Sequence, residues 1–154
     1  MTYICIVSIV ICIILSAFFS ASEMAFSSNN RVRLEHMADE GDKRAKAALF
    51  ITEQYDKALS AILVGNNLVN IAASSLASVL VLLTFGESYA WLSTLILTIL
   101  VIIFGETVPK ISSQKNATRL SLLLAFPVRV IMLVLTPVTF VIVDMVRILT
   151  MRLK

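Results

Sequence analysis

The sequence predicts an all-α membrane protein: three transmembrane helices, short cytoplasmic helices after the first, and a broken juxtamembrane helix at the C-terminal end. Three observations predict the class. Hydrophobic residues make up 58% of the chain and charged residues only 15%, where a soluble domain carries about 25% charge. Mean hydropathy is +0.92. The apolar residues fall in runs long enough to cross a bilayer, which takes about 20 residues per helix, and the charges lie between those runs.

The first apolar run covers about 3–26 and turns polar only near its end, at Ser16, Ser20, Ser22 and Glu23. Met1-Thr2-Tyr3-Ile4 offers no basic region of the kind that opens a cleavable signal peptide, so the run is expected to be a retained span. Cys5 and Cys12 would sit two turns apart on it, roughly 10 Å along the axis and beyond disulfide reach. Glu23 is expected at the cytoplasmic end, stabilised by Arg31 or Arg33.

Residues 29–57 gather both charge signs and form a cytoplasmic segment of two short helices, 31–37 and 42–52, split at Gly41. The second span, about 58–83, carries Gly65-Asn66-Asn67 and Asn70 and is rich in small residues from 72 to 78. Its connection to the third span, Phe85-Gly86-Glu87-Ser88, contains no Lys or Arg and is therefore extracytoplasmic. The third span, about 89–111, ends in Gly105-Glu106-Thr107-Val108-Pro109-Lys110, and Lys115 and Arg119 return the chain to the cytoplasm. This places the N-terminus outside and the C-terminus in the cytoplasm of a multi-pass plasma-membrane protein.

The segment of about 117–150 has the length of a span, yet Pro127 and Pro137 interrupt it and it contains Arg129. A crossing would put Arg147, Arg152 and Lys154 outside, against the positive-inside rule. The expectation is a broken amphipathic segment along the cytoplasmic leaflet; the competing arrangement is a fourth span with Arg129 paired to Asp144.

Three polar clusters interrupt the spans at similar depth. Ser16 and Ser20 share one helix face, as do Asn66 and Asn70, with Asn67 three residues before Asn70. Glu106 is the deep carboxylate, and Gly105 beside it leaves its backbone carbonyl accessible. Hydroxyl, amide, carbonyl and carboxylate oxygens are hard donors, suited to Mg²⁺ or Na⁺ and poor for zinc or copper. Pro109 removes a backbone hydrogen bond and frees a carbonyl near Glu106. Other roles compete: serines bonding to their own helix, asparagines joining helices, and Glu106 bridging to Lys110 four residues on. Ala73, Ser74, Ala77 and Ser78 have the spacing that lets helices pack closely, either between two subunits or within one.

Other classes lack their residues. The net charge of +3 forms no patch for nucleic acid. The one histidine, His36, lies in the charged segment, no HExxH or GxSxG is present, and Asp144 is the one aspartate in an apolar stretch, so no enzyme is expected.

The three motifs Ser16-Ala17-Phe18-Phe19-Ser20-Ala21-Ser22-Glu23-Met24-Ala25, Gly65-Asn66-Asn67-Leu68-Val69-Asn70 and Phe104-Gly105-Glu106-Thr107-Val108-Pro109-Lys110, in this order, resemble the membrane domain of the HlyC/CorC family, the cyclin M transporters of animals. The resemblance covers nearly the whole chain; Ala17 stands where many relatives have Gly. It implies a homodimer with three spans per subunit that exports Mg²⁺ coupled to Na⁺ entry, and a longer protein that continues into CBS domains. It also implies Ser16, Ser20, Asn70, Glu106 and the Gly105 carbonyl as Mg²⁺ ligands, with Asn66, Asn67 and Ser22 lining the cavity. The alternative function is a non-transporting dimeric anchor or ion sensor for cytoplasmic domains.

Overall fold

The computed structural model describes Thr2–Met151, with side chains for all of these except Glu87, Ala90, Thr139 and residues 142–151. Among the described residues there is no strand. Helix α1 is Thr2–Ser27. Its many β-branched residues are weak helix formers in water, but in lipid every N–H and C=O must bond within the segment, and that requirement overrides propensity.

Polar turn residues end α1 and start the next helices. Asn30 Oδ1 accepts the Arg33 N–H at 3.0 Å and caps α2, Arg31–Asp39. Gly41 takes φ +96°, a backbone state open to glycine, and Asp42 then caps α3, Lys43–Glu53, by accepting the Arg44 N–H at 2.7 Å. The expected pair of short helices split at Gly41 is therefore present, two residues longer at its first C-terminus. Helix α4, Tyr55–Phe85, contains the second expected span and stops at Gly86, φ +86°.

The third expected span is one rod of three different windings. After a single 3-10 turn, Glu87–Tyr89, come α5, Ala90–Leu100, a π-helical segment, Val101–Thr107, and α6, Val108–Lys115. Helix α7, Ala117–Met151, runs unbroken through Pro127 and Pro137, which corrects the expected break. Each proline removes only its own N–H, and the remaining ladder holds the helix together. The expected partner of Arg129 in a fourth span, Asp144, lies outside the described side chains. Arg129 itself stacks over the Phe50 ring of α3, 4.8 Å from its centroid.

Two apolar clusters hold the helices. One joins Phe19 and Phe26 of α1, Leu34 of α2, Ile51 of α3, Ile62 of α4 and Val128 of α7. The other packs Ala73 and Ala77 of α4 against Leu97 and Val101, with Ile9, Cys12 and Ile13 of α1. Of the small residues expected at a dimer interface, Ala73 and Ala77 are thus consumed within the chain: their single methyl groups are already covered by α1, α5 and the π segment. Ser74 and Ser78 are half-buried, and the Ser78 hydroxyl donates to the Ser74 carbonyl at 3.0 Å.

Large apolar side chains such as Ile4, Val7, Ile14, Leu68 and Ile103 are exposed along the helix faces. Among the described residues, four helical stretches are long and apolar enough to cross a membrane: Thr2–Ser27, Tyr55–Phe85, Trp91–Lys115 and Ala117–Val138. With the bilayer as solvent such faces are satisfied, and the protein is a multi-pass membrane protein.

Candidate cation site between α1, α4 and the π segment

The site begins with two glycines that let three helices meet. A Cβ on Gly65 of α4 would lie 2.5 Å from Phe19 Cζ of α1, and one on Gly105 of the π segment would lie 2.9 Å from Ser16 Oγ. Neither contact fits without displacing its neighbour, so both positions require glycine for the observed approach. This close packing buries Ser16 and Ser20 completely.

The polar side chains then pair across the helices. Ser16 Oγ donates to Asn66 Oδ1 at 2.9 Å. Asn70 Nδ2 donates to Glu106 Oε1 at 3.4 Å, a long and therefore weak bond. Among the described residues two buried side-chain oxygens have no hydrogen-bond partner, Ser20 Oγ and Asn70 Oδ1. A buried polar atom without a partner costs about 1–3 kcal/mol, which makes such atoms informative where they occur on facing helices.

Backbone geometry changes which N–H groups the carbonyls beside Glu106 can take. The Val108 N–H donates five residues back to Ile103, as the π winding dictates. The donor four residues after Gly105 is Pro109, which has no N–H. The carbonyl of Gly105 thus lacks its α-helical donor. So does that of Phe104, because the Val108 N–H has gone to Ile103. Short π segments inside α-helices occur frequently at functional sites.

Charge at the site is controlled by a pairing that sequence reasoning missed. Lys110 Nζ lies 3.0 Å from Glu23 Oε2, with both side chains about one-third exposed or less. Glu23 is not held by Arg31, which reaches Glu35 at 2.8 Å and Glu53 at 3.7 Å instead. Nor does Lys110 bridge to Glu106. The signal was present as two opposite charges at the same ends of two apolar runs, but only packing brings α1 and α6 together.

The structure therefore brings together Ser16, Asn66, Asn70, Gly105 and Glu106, with Ser20 one turn below Ser16. Ser22 is buried but donates to the Phe18 carbonyl at 2.7 Å, a bond within its own helix. Asn67 is exposed, and among the described residues no hydrogen bond joins it to the cluster. No three His, Cys, Asp or Glu side chains converge among the described residues. The donor set is one carboxylate surrounded by neutral oxygens.

This is a polytopic helical membrane protein with an oxygen-lined site where three helices meet. The cyclin M transmembrane N-terminal domain family matches residues 7–154, and the chain belongs to that family. It is 39% identical over 113 residues to the UPF0053 protein of Haemophilus influenzae, covering 73% of this chain and 27% of the relative. It is 37% identical over 123 residues to the UPF0053 inner membrane protein YfjD of Escherichia coli, covering 77% and 28%. The UPF0053 protein YhdT of Bacillus subtilis is 30% identical over 156 residues, covering 89% and 33%. The chain spans about a quarter to a third of the length of these relatives.

Proposed function

We propose that this domain carries Mg²⁺ across the plasma membrane, as an exporter coupled to Na⁺ entry, through the site between α1, α4 and the π segment. The observation that carries the reading is the pair of unpartnered buried oxygens, Ser20 Oγ and Asn70 Oδ1, on facing helices beside the carboxylate Glu106. Oxygens whose lone pairs are not taken up by hydrogen-bond donors are what a hard cation needs. Ser16 fits the same role, because it spends its proton on Asn66 and keeps its lone pairs. The Gly105 carbonyl completes the set, and Asn66 orients Ser16. One carboxylate leaves a bound divalent ion net positive, which favours release over permanent retention.

The topology belonging to this reading has three spans, the N-terminus outside and α7 along the cytoplasmic leaflet. It is supported by the way α7 runs beside α3 and the start of α4: residues 122–127 border a groove with Lys43 and Arg44 of α3, and residues 132–140 one with Lys57 of α4. An α7 that crossed would draw these cations to membrane depth, where a charge at the helix centre costs about 2.5–3.5 kcal/mol. Two subunits form a homodimer, with CBS domains following in the full protein.

The test is calorimetric Mg²⁺ titration of the purified chain followed by flux in proteoliposomes. Binding together with Mg²⁺ movement along an imposed Na⁺ gradient is expected. Binding without flux would move the assignment to a dimeric anchor that senses the ion, and absence of binding would end both.

A further inference from the structure

The geometry points to a binding site for an anionic phospholipid along the seam between α3 and α7. Leu122, Leu123, Phe126 and Pro127 of α7 form an apolar groove that ends at Lys43 and Arg44 on α3. Phe126 is 75% and Leu123 55% exposed, so the groove is open to an acyl chain. Farther along, where the seam reaches the start of α4, Met132, Leu133 and Phe140 form a second groove with Lys57 of α4 at its edge. Arg129 lies between the two in the register of α7, stacked on Phe50.

Exposed apolar faces in a membrane protein accept any lipid tail; the cations select the headgroup. Among the described residues no carboxylate lines either groove. The acidic side chains of α3 face elsewhere. Asp42 is spent on the Arg44 and Ala45 amides, and Glu53 turns to Arg31 on the α2 side. The seam is therefore a row of Lys43, Arg44, Arg129 and Lys57 beside two apolar grooves. This complements a phosphodiester carrying net negative charge, and a zwitterionic headgroup brings its own cation into the same row. The site rests on the proposed topology only for its leaflet and does not involve the Mg²⁺ ligands.

The experiment is native mass spectrometry of the full chain in Mg²⁺-free detergent with equal dioleoyl phosphatidylglycerol and dioleoyl phosphatidylcholine. Wild type is expected to retain phosphatidylglycerol about tenfold over phosphatidylcholine. Lys43→Gln with Arg44→Gln should bring the ratio near unity with unchanged helicity by circular dichroism. The matched pair Arg31→Gln with Arg33→Gln, on α2, should leave it unchanged. Equal retention of the two lipids, or equal loss in both double variants, overturns the proposal. So does displacement by glycerol phosphate at matched concentration, which would mean that the cations bind a free anion and the groove takes no tail. A change of oligomer mass in the α3 variant without a change of lipid ratio would overturn it in favour of a second copy on this face.

Discussion

Lys110 Nζ lies 3.0 Å from Glu23 Oε2, so the cation one turn beyond Glu106 neutralises α1 and leaves Glu106 without a counterion on its own helix. Glu106 instead faces the amide of Asn70. The negative charge at the site thus remains available to a cation. The Glu23–Lys110 bridge also ties α6 to α1.

Breaking that bridge has a bounded cost. Lys110→Met is expected to lower stability by about 0.5–1 kcal/mol, because both partners remain partly in contact with solvent. The exchanged pair Glu23→Lys with Lys110→Glu should recover most of it. Thermal unfolding in detergent measures both, and failure of the exchange to recover stability would show that the pair acts through packing alone.

Glu106→Gln and Asn70→Ala should each weaken Mg²⁺ binding at least tenfold, about 1.4 kcal/mol, with helicity unchanged. Gln preserves the shape of Glu106 while removing its charge, so titration calorimetry on this variant isolates electrostatics from packing. Retained affinity would mean that neither residue touches the ion.

Pro109→Ala separates ion binding from stability. The new N–H can donate to the Gly105 carbonyl and allow the π segment to relax toward an α-helix. Thermal stability should rise while Mg²⁺ affinity falls. A parallel fall of both would indicate that the proline is needed for folding and not for exposing the carbonyl.

Gly65→Ala places a methyl 2.5 Å from Phe19 Cζ. Overpacking of this kind costs about 1–3 kcal/mol. Shortening the obstacle with Phe19→Leu should restore part of the loss, read as a recovered unfolding midpoint. Gly105→Ala meets Ser16 Oγ at 2.9 Å and should weaken Mg²⁺ binding more than it lowers stability, since it displaces a proposed ligand.

Much of the fold is legible because lipid leaves few choices. An apolar run of sufficient length must be helical, and Asn30, Gly41, Asp42 and Gly86 mark the turns through local chemistry. The polar clusters were also legible, since Ser16 with Ser20 and Asn66 with Asn70 recur one turn apart and Glu106 is a carboxylate deep in an apolar run. Asn67 and Ser22 were harder to place. Asn67 is three residues from Asn70, yet it turns to the exposed side of α4, and Ser22 satisfies itself on Phe18.

By itself the sequence determined the helical membrane class, the order of the helices and the hard-oxygen character of the site, because these follow from composition and spacing along one chain. Tertiary structure alone decided which partners meet. It gave Lys110 to Glu23, Asn66 to Ser16 and Asn70 to Glu106, covered Ala73 and Ala77 within the chain, wound Val101–Thr107 as a π segment and carried α7 unbroken through two prolines. The physical reason is that pairing between helices depends on their relative rotation and approach. Those are set by close contacts such as Gly65 on Phe19 and Gly105 on Ser16, which no periodicity within a single helix encodes.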